Sequence, residues 1–512
     1  MIRDLLQSQP EAGAAADICI VGAGAAGIVL AVDLARRGKS VLLLEGGGSE
    51  IEESSQDPYL SELSGLPHRG IHTGRFRAKG GTTTKWGGQI LELDTLDFEQ
   101  RPGIDGSGWS FPKSELTPFY ERALEFEGLA KVTRQDEEVW REIGEASPKL
   151  PDLEPYFSRW CPEPNFARLH RKSIEEHSGI SLWLHANATE PVLEGEVMRG
   201  IRCRTLTGKE AIFHASQFIF CLGGIESSRF FLQPRAAGLP WNSSGLLGKH
   251  FQDHVDCNAA TVEPIHTGRF HRMFDNVFSR GFKYHPKLRL AVSEQAAHGT
   301  LNVASTMAFV SDTDETLTEL KTTAKSFLRG RVREIGAAEV GFAARHLPLI
   351  VRQGFRYKVQ HRAYNPPDAR IFLRVHCEQE PMSRSSITLA DTRDALGLRR
   401  TRLDWKISEK ELASIREYVR IATKSLASVA HVHPHEDLSS DKFLAHCDDS
   451  NHHMGGMRMS DSPAKGVVDS NLRLHGTSNA YICSSAVFPT SGFSNPTHTL
   501  LALAVRLAQH LG

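Results

Sequence analysis

Two polar segments near the end of the chain carry residues able to do chemistry. The first is Asn451-His452-His453-Met454-Gly455-Gly456-Met457-Arg458-Met459. The second is Phe488-Pro489-Thr490-Ser491-Gly492-Phe493-Ser494-Asn495-Pro496-Thr497. Histidine titrates near neutral pH, so an imidazole placed here can take a proton from a reacting hydroxyl. A carboxamide can donate a hydrogen bond and hold a substrate oxygen still. At the opposite end of the chain, Gly22-Ala23-Gly24-Ala25-Ala26-Gly27 spells G-x-G-x-x-G. A phosphate cradle at one end and a His/Asn pair at the other imply an enzyme that holds a nucleotide cofactor and closes its site with its own C-terminus.

The elements needed to position the cradle are legible around it. Asp17 to Val21 reads as a buried parallel strand, and Ile28 to Arg37 has helical character. Gly38 ends the helix, and Ser40 to Leu44 is a second apolar run closed by Glu45. This order is a complete β-α-β unit. Gly22 permits the tight turn, Gly24 lets backbone approach a pyrophosphate, and Gly27 lets the helix pack on the strand. The helix N-terminus then offers free N–H groups and partial positive charge to phosphates. Glu45 is placed to accept from ribose hydroxyls and to repel a 2′-phosphate, which disfavours NADP. The motif by itself leaves FAD and NAD open.

Two further segments favour FAD. Arg75 to Gln89 reads Arg-Phe-Arg-Ala-Lys-Gly-Gly-Thr-Thr-Thr-Lys-Trp-Gly-Gly-Gln, a hydroxyl-rich loop with paired glycines and Trp86. Such a loop can lie flat on a large planar ring and offer N–H groups to its polar edge. Gln217 to Glu226 is another apolar strand running into glycines, followed by helical Ser227 to Leu232. It reads as a strand returning to the nucleotide domain after an insertion.

With these features the chain resembles the glucose–methanol–choline (GMC) family of FAD-dependent alcohol oxidases and dehydrogenases. The match runs through the glycine loop with Glu45, Gly80-Gly81 and Trp86-Gly87-Gly88, Gly223-Gly224-Ile225-Glu226, and Gly248-Lys249-His250-Phe251-Gln252-Asp253-His254. It continues through His452 to Met459, Val467-Val468-Asp469 and Ser485 to Thr490, and ends at Asn495-Pro496-Thr497. The His452/Asn495 pairing is most similar to the bacterial sugar-oxidising, pyranose-oxidase-like branch. Gly456 departs from the family pattern, which usually has Thr there.

The resemblance implies an α/β fold with an α+β substrate part. A Rossmann-like FAD-binding domain is expected over 1–100, 185–255 and 445–512, and a discontinuous sheet-based substrate domain over 101–184 and 256–444. FAD would be held by Gly22, Gly24, Ala25, Ala26, Gly27, Glu45, Gly46, Arg77, Gly80, Gly81, Thr82, Thr83, Thr84, Trp86, Gly87, Gly88, Gly223, Glu226, Ser485, Asn495, Pro496 and Thr497. The implied reaction is oxidation of an alcohol, most simply a hydroxyl of a sugar or glycoside. His452 takes the proton, Asn495 orients the substrate, and hydride passes to flavin N5. His453 and His498 are the neighbouring alternatives. Some relatives bind FAD covalently through a histidine in the glycine–tryptophan loop; the matching position is Lys85, so non-covalent FAD is implied. A non-sugar alcohol is the rival substrate, and an NAD(P)H-dependent flavoprotein reductase the rival class. That class needs a second glycine fingerprint in mid-chain, which the sequence lacks.

Bulk properties narrow the field further. The chain has 512 residues, 40% of them hydrophobic, enough for a large core, and a formal net charge of −1 that favours no nucleic acid. The eight cysteines are scattered, with no C-x-x-C pair, and read as reduced thiols of a cytoplasmic protein. Ile18 to Val32 is apolar but too short to span a bilayer. No G-x-S-x-G elbow supports a serine hydrolase. His250 and His254 flank Asp253 in a metal-like pattern, but the resemblance makes them structural, and no metal is expected. Lys321 to Arg362 carries ten Lys or Arg against two acids, Glu334 and Glu339. It reads as a basic helical insertion over about 318–362, serving as a solvated insert, a lid or oligomer contact, or a patch for an anionic membrane or acidic glycan. Glu378-Gln379-Glu380-Pro381 is expected along the substrate pocket. The electron acceptor is oxygen, a quinone or another redox partner.

Overall fold

Apolar runs too continuous for a half-exposed strand build the first sheet. From Ile18 onward the strand Ala15–Val21 is buried on both faces, as a parallel strand between helical layers must be. The computed structural model describes residues 1–11, 13, 15–234, 240–311, 345–366 and 369–512. Among these, an eight-stranded sheet runs in the order Ile2–Asp4, Ile180–Leu184, Val41–Leu44, Ala15–Val21, Glu210–Phe220, Val197–Arg204, Asn187–Glu194, with Ala480–Ile482 also paired to Glu210–Phe220. Its first five strands are parallel and the outer two antiparallel. The helix Ala25–Arg36 starts three residues earlier than its sequence pattern indicates and packs between the sheet and the C-terminal helix Pro496–Leu511. That last helix is largely buried, because Lys113–Phe126 covers its other side.

The expected domain division shifts here. Ile180–Leu184 pairs with Val41–Leu44, and Lys113–Phe126 packs on the C-terminal helix, where Tyr120 meets Thr499 at 2.7 Å. Both segments, placed with the substrate part over 101–184, therefore belong physically to the nucleotide layer. The short edge strand Ile2–Asp4 carried no signal in the sequence.

The second sheet is antiparallel, in the order Ala430–Pro434, Val255–Pro264, Arg370–Cys377, Val303–Val310, Phe282–Leu290, Leu153–Trp160, Gln89–Ile90. The helix Glu409–Ser425 buries Leu412, Ile415, Tyr418 and Val419 against it, and a capping box between Ser408 and Glu411 fixes its start. Two connections position the site. Phe251 to His254 lead into Val255–Pro264, while the strand Cys447–Asp449, paired to the same strand, leads out to His452. Reciprocal backbone bonds between Gln252 and Met454, both 2.8 Å, stitch these segments side by side.

Candidate active site

A cleft lies over the carboxyl ends of the parallel strands. Gly22, Gly24, Ala25, Ala26, Glu45, Gly46, Arg77, Gly81, Thr82, Thr83, Trp86, Gly223, Glu226 and Thr497 line it. It continues into a second space that takes in Gly87, Gly88, Ser485, Pro496, His452, His453 and Asn495. Tyr59, Phe76, Thr82, Trp86, Leu222, Gly223, Thr497 and Leu500 belong to both, so the two form one passage.

The three fingerprint glycines separate by physical cause. Gly22 has φ +106°, and a Cβ there would lie 2.5 Å from the Cys221 carbonyl oxygen. A Cβ on Gly27 would collide with the Gly22 carbonyl. Gly24 differs: its φ of −81° suits any residue, and no atom lies within 4 Å of where its Cβ would stand. The fold demands Gly22 and Gly27, whereas only an occupant of the cleft demands Gly24. No side chain caps the helix that follows, so its first N–H groups face that space. Arg77 Nε and Glu226 Oε2, both buried in the cleft wall, have no hydrogen-bond partner. A bare helix start, a clear approach at Gly24 and two unsatisfied polar atoms fit the diphosphate and ribose of a dinucleotide.

Glu45 lines the cleft and also holds its own loop together. Its Oε2 accepts from Ala23 N–H at 3.0 Å and its Oε1 from Gly47 N–H at 2.9 Å, tying the glycine turn to the next strand. Burial pushes its carboxyl upward despite these bonds and the nearby Arg77. Gly27, Gly80 and Thr84 do not line the cleft. Gly80 donates to the Ala23 carbonyl at 2.9 Å, and Thr84 turns its hydroxyl onto Gly81 at 2.8 Å. Asn187 and Tyr59 line the cleft without any motif to mark them.

At the far end, His452 Nε2 and Asn495 Nδ2 stand 3.0 Å apart on the cleft wall. Behind them, His452 Nδ1 meets His254 Nδ1 at 2.9 Å, and His254 Nε2 meets the Ser491 carbonyl at 3.4 Å. The hydrogens follow in sequence. A carbonyl only accepts, so His254 Nε2 carries the proton and its Nδ1 is bare. His452 must then donate from Nδ1, which leaves Nε2 with its lone pair toward Asn495 and the cleft. Burial, reinforced by His254, holds the His452 imidazole well below the usual histidine range, so it is neutral around pH 7. Asp253 anchors the backbone of this loop, accepting from His452 N–H at 3.0 Å, Ser450 N–H at 3.2 Å and His254 N–H at 2.7 Å.

The competing histidines are accounted for. The His453 ring turns toward His68 and Phe251, as alternation along an extended segment requires. Its carbonyl is pinned by Ser485 Oγ–H at 2.6 Å. His498 bonds Glu127 at 3.0 Å and packs at a tilt against Tyr120, away from the cleft. His250 turns to the Pro381 carbonyl at 3.2 Å, so the metal-like pattern around Asp253 does not converge. His68, Asp253 and His453 do bring ligand atoms within 4.8 Å of one another. The His68 lone pair is taken by Ile71 N–H at 3.1 Å and its other nitrogen faces Asp253 at 3.2 Å, so both its nitrogens are engaged, while His453 Nε2, 3.9 Å from Asp253, is buried without a hydrogen-bond partner.

Glu378-Gln379-Glu380-Pro381 stands behind the pocket instead of along it. Glu378 is paired with Arg101, and Gln379 receives Asp253 N–H at 2.8 Å and the Trp405 indole N–H at 2.9 Å. Residues 312–344, the first part of the basic stretch, lie outside the described residues; 345–362 includes an exposed helix, Leu347–Lys358.

Comparison with known proteins agrees with this architecture. Residues 381–504 match the family model of the GMC oxidoreductases, and residues 17–162 match that of the FAD-dependent oxidoreductases. The fructose dehydrogenase large subunit of Gluconobacter japonicus is 23% identical, with 96% of this chain and 97% of that protein covered. The 2-methyl-1,2-propanediol dehydrogenase of Mycolicibacterium austroafricanum is 21% identical, over 97% of this chain and 95% of that one. Pyridoxine 4-oxidase from Mesorbium loti shares the fold, with a TM-score of 0.59 at 17% identity over 96% of this chain and 98% of that chain. Formate oxidase shares it with a TM-score of 0.58 at 14% identity, covering 98% of each. Fold and matches define an FAD-dependent oxidoreductase acting on CH–OH groups. Within that class, residues 381–504 carry a GMC oxidoreductase domain.

Proposed function

We propose that the enzyme oxidises a hydroxyl of a sugar or glycoside, with His452 as general base and Asn495 as the orienting donor. The observation that carries this reading is the 3.0 Å pairing of a bare imidazole nitrogen with an amide N–H on the wall of the cleft. A hydroxyl entering between them would give its proton to His452 Nε2 and accept from Asn495 Nδ2. When bound, FAD supplies the hydride acceptor. Gly24 and the bare start of the helix Ala25–Arg36 would hold its diphosphate, and Arg77 and Glu226 would offer their unpartnered polar atoms to its nucleoside part. The N-terminus of Pro496–Leu511, which lines the cleft at Pro496 and Thr497, adds positive partial charge where reduction leaves a negative one.

The sugar assignment is supported by the fructose dehydrogenase relative, which spans nearly the whole chain. A small non-sugar diol is the second reading, supported by the equally extensive 2-methyl-1,2-propanediol dehydrogenase match. FAD is bound without a covalent link, since exposed Lys85 occupies the loop position where some relatives carry the linking histidine. The eight unpaired cysteines favour a cytoplasmic enzyme. The deciding experiment is anaerobic titration with a panel of free sugars, glycosides and small diols, read as loss of flavin absorbance, then reoxidation with oxygen or a quinone. Bleaching by diols but no sugar overturns the sugar assignment. Flavin that stays with denatured protein overturns non-covalent binding.

A further inference from the structure

The helix Leu347–Lys358 turns its apolar side outward. No residue in it is buried. Leu347, Val351, Phe355 and Val359 recur every four positions and so share one side, at 56, 61, 53 and 62% exposure. Ile350 and Tyr357 extend that side. Among the described residues, these six make up half of the twelve large apolar side chains left exposed; of the others only Leu60 and Leu63 are near each other in the sequence, and the rest are isolated, as surface apolars ordinarily are. Around Gly354, on the same side, no atom lies within 4 Å of the Cβ position. A contiguous apolar face of this kind marks a contact surface.

Charge identifies the partner. Residues 345–362 contain Arg345, Arg352, Arg356, Lys358 and Arg362 and no acid. Arg356 reaches Asp275, and Arg362 reaches Glu145 at 3.5 Å, so these two rivet the helix to the body. Arg345, Arg352 and Lys358 are exposed and meet no carboxylate among the described residues. A second copy of this face would set cation against cation, since a two-fold interface pairs a patch with itself. An anionic surface would instead satisfy the cations while the apolar stripe enters a greasy layer. The helix of 12 residues is about 18 Å long, against the ~30 Å needed to span a bilayer. It can therefore only lie flat, with Arg352 and Lys358 snorkelling to headgroups.

We propose that Leu347–Lys358 docks the enzyme on an anionic lipid bilayer. This goes beyond the alcohol-oxidation reading and is independent of it. The test is co-sedimentation of the FAD-loaded enzyme with vesicles of phosphatidylcholine, or of phosphatidylcholine mixed with phosphatidylglycerol, at low and high salt. The enzyme should pellet with the anionic vesicles only. Each exposed cation near the surface should contribute about fivefold to binding, lost at high salt. Val351→Glu with Phe355→Glu, and separately Arg352→Glu with Lys358→Glu, should each lower partition at least tenfold while flavin content and turnover stay unchanged. Wild-type enzyme that ignores anionic vesicles, or variants that pellet as well as wild type, overturns the proposal. So does sedimentation velocity showing a dimer that Val351→Glu with Phe355→Glu dissociates, because the face then belongs to a protein contact.

Discussion

Replacing His254 with Leu should slow flavin reduction without emptying the cleft. His254 lines neither part of the passage, yet its bare Nδ1 is the acceptor for His452 Nδ1–H at 2.9 Å. Once His452 Nε2 has taken a proton, that contact becomes a hydrogen bond from an imidazolium. Such a bond contributes about 1.5–3 kcal/mol, which converts to roughly a 10- to 150-fold loss in rate. Leu also frees the ring to adopt the other tautomer, which places a hydrogen where the lone pair must be. His254→Asn offers a carbonyl oxygen near the Nδ1 position and should recover the rate to within about fivefold of wild type. The assay is anaerobic stopped-flow bleaching at saturating alcohol, with FAD content and thermal midpoint measured on each variant. A fully flavinylated Leu variant that bleaches at the wild-type rate refutes the tautomer argument. An Asn variant as slow as Leu refutes it too, since acceptor geometry would then not be the cause.

Other outcomes follow from the same geometry. His452→Ala should cut the rate of flavin reduction by about 100-fold or more, and His453→Ala by less than about tenfold; the reverse order would exchange their roles. Gly24→Val should fold with the melting profile of FAD-free wild type yet fail to take up FAD, because the new side chain meets only the cleft, whereas Gly27→Ala should fail to fold. A Gly24→Val protein that holds FAD normally contradicts the placement of the diphosphate. Burial lowers His453 to about 3 and His376 to about 4, from an ordinary 6.5. Their folded values are depressed, so their contribution is intact above pH 6.5 and falls away as pH drops toward 4. With both taking up protons only on unfolding, stability should decline by roughly 2–3 kcal/mol per pH unit in that window. Urea denaturation at pH 7.5 and pH 5 measures this, and equal midpoints would contradict it.

The legible parts of this protein are those where one residue type is tied to one local geometry. Gly27 is dictated by its contact with the Gly22 carbonyl and Gly22 by its own φ of +106°, both local to the β-α-β unit, so sequence order alone locates the turn. The strand before them and Val41–Leu44 are apolar runs buried on both faces, and this too is written locally. The C-terminal helix start is marked by Pro496, which suits a first helical turn. Where local logic ran out, the reading missed. Ile180–Leu184 looks like any short apolar strand, and only its pairing with Val41–Leu44 assigns it to the nucleotide sheet. Glu378 carries charge that reads as pocket chemistry, yet its partner Arg101 is 277 positions away.

Residue types and spacing alone determined the dinucleotide turn, the candidate His452 and Asn495, and the family resemblance. Tertiary structure alone decided which nitrogen of His452 is bare, because that depends on His254 and Ser491, each brought alongside from a separate stretch of chain. It likewise decided that Glu45 ties backbone together, and that the helix Leu347–Lys358 faces outward. The physical reason is common to all three. A side chain's protonation and exposure are set by what packs against it, and packing partners distant in sequence leave no mark at the residue itself.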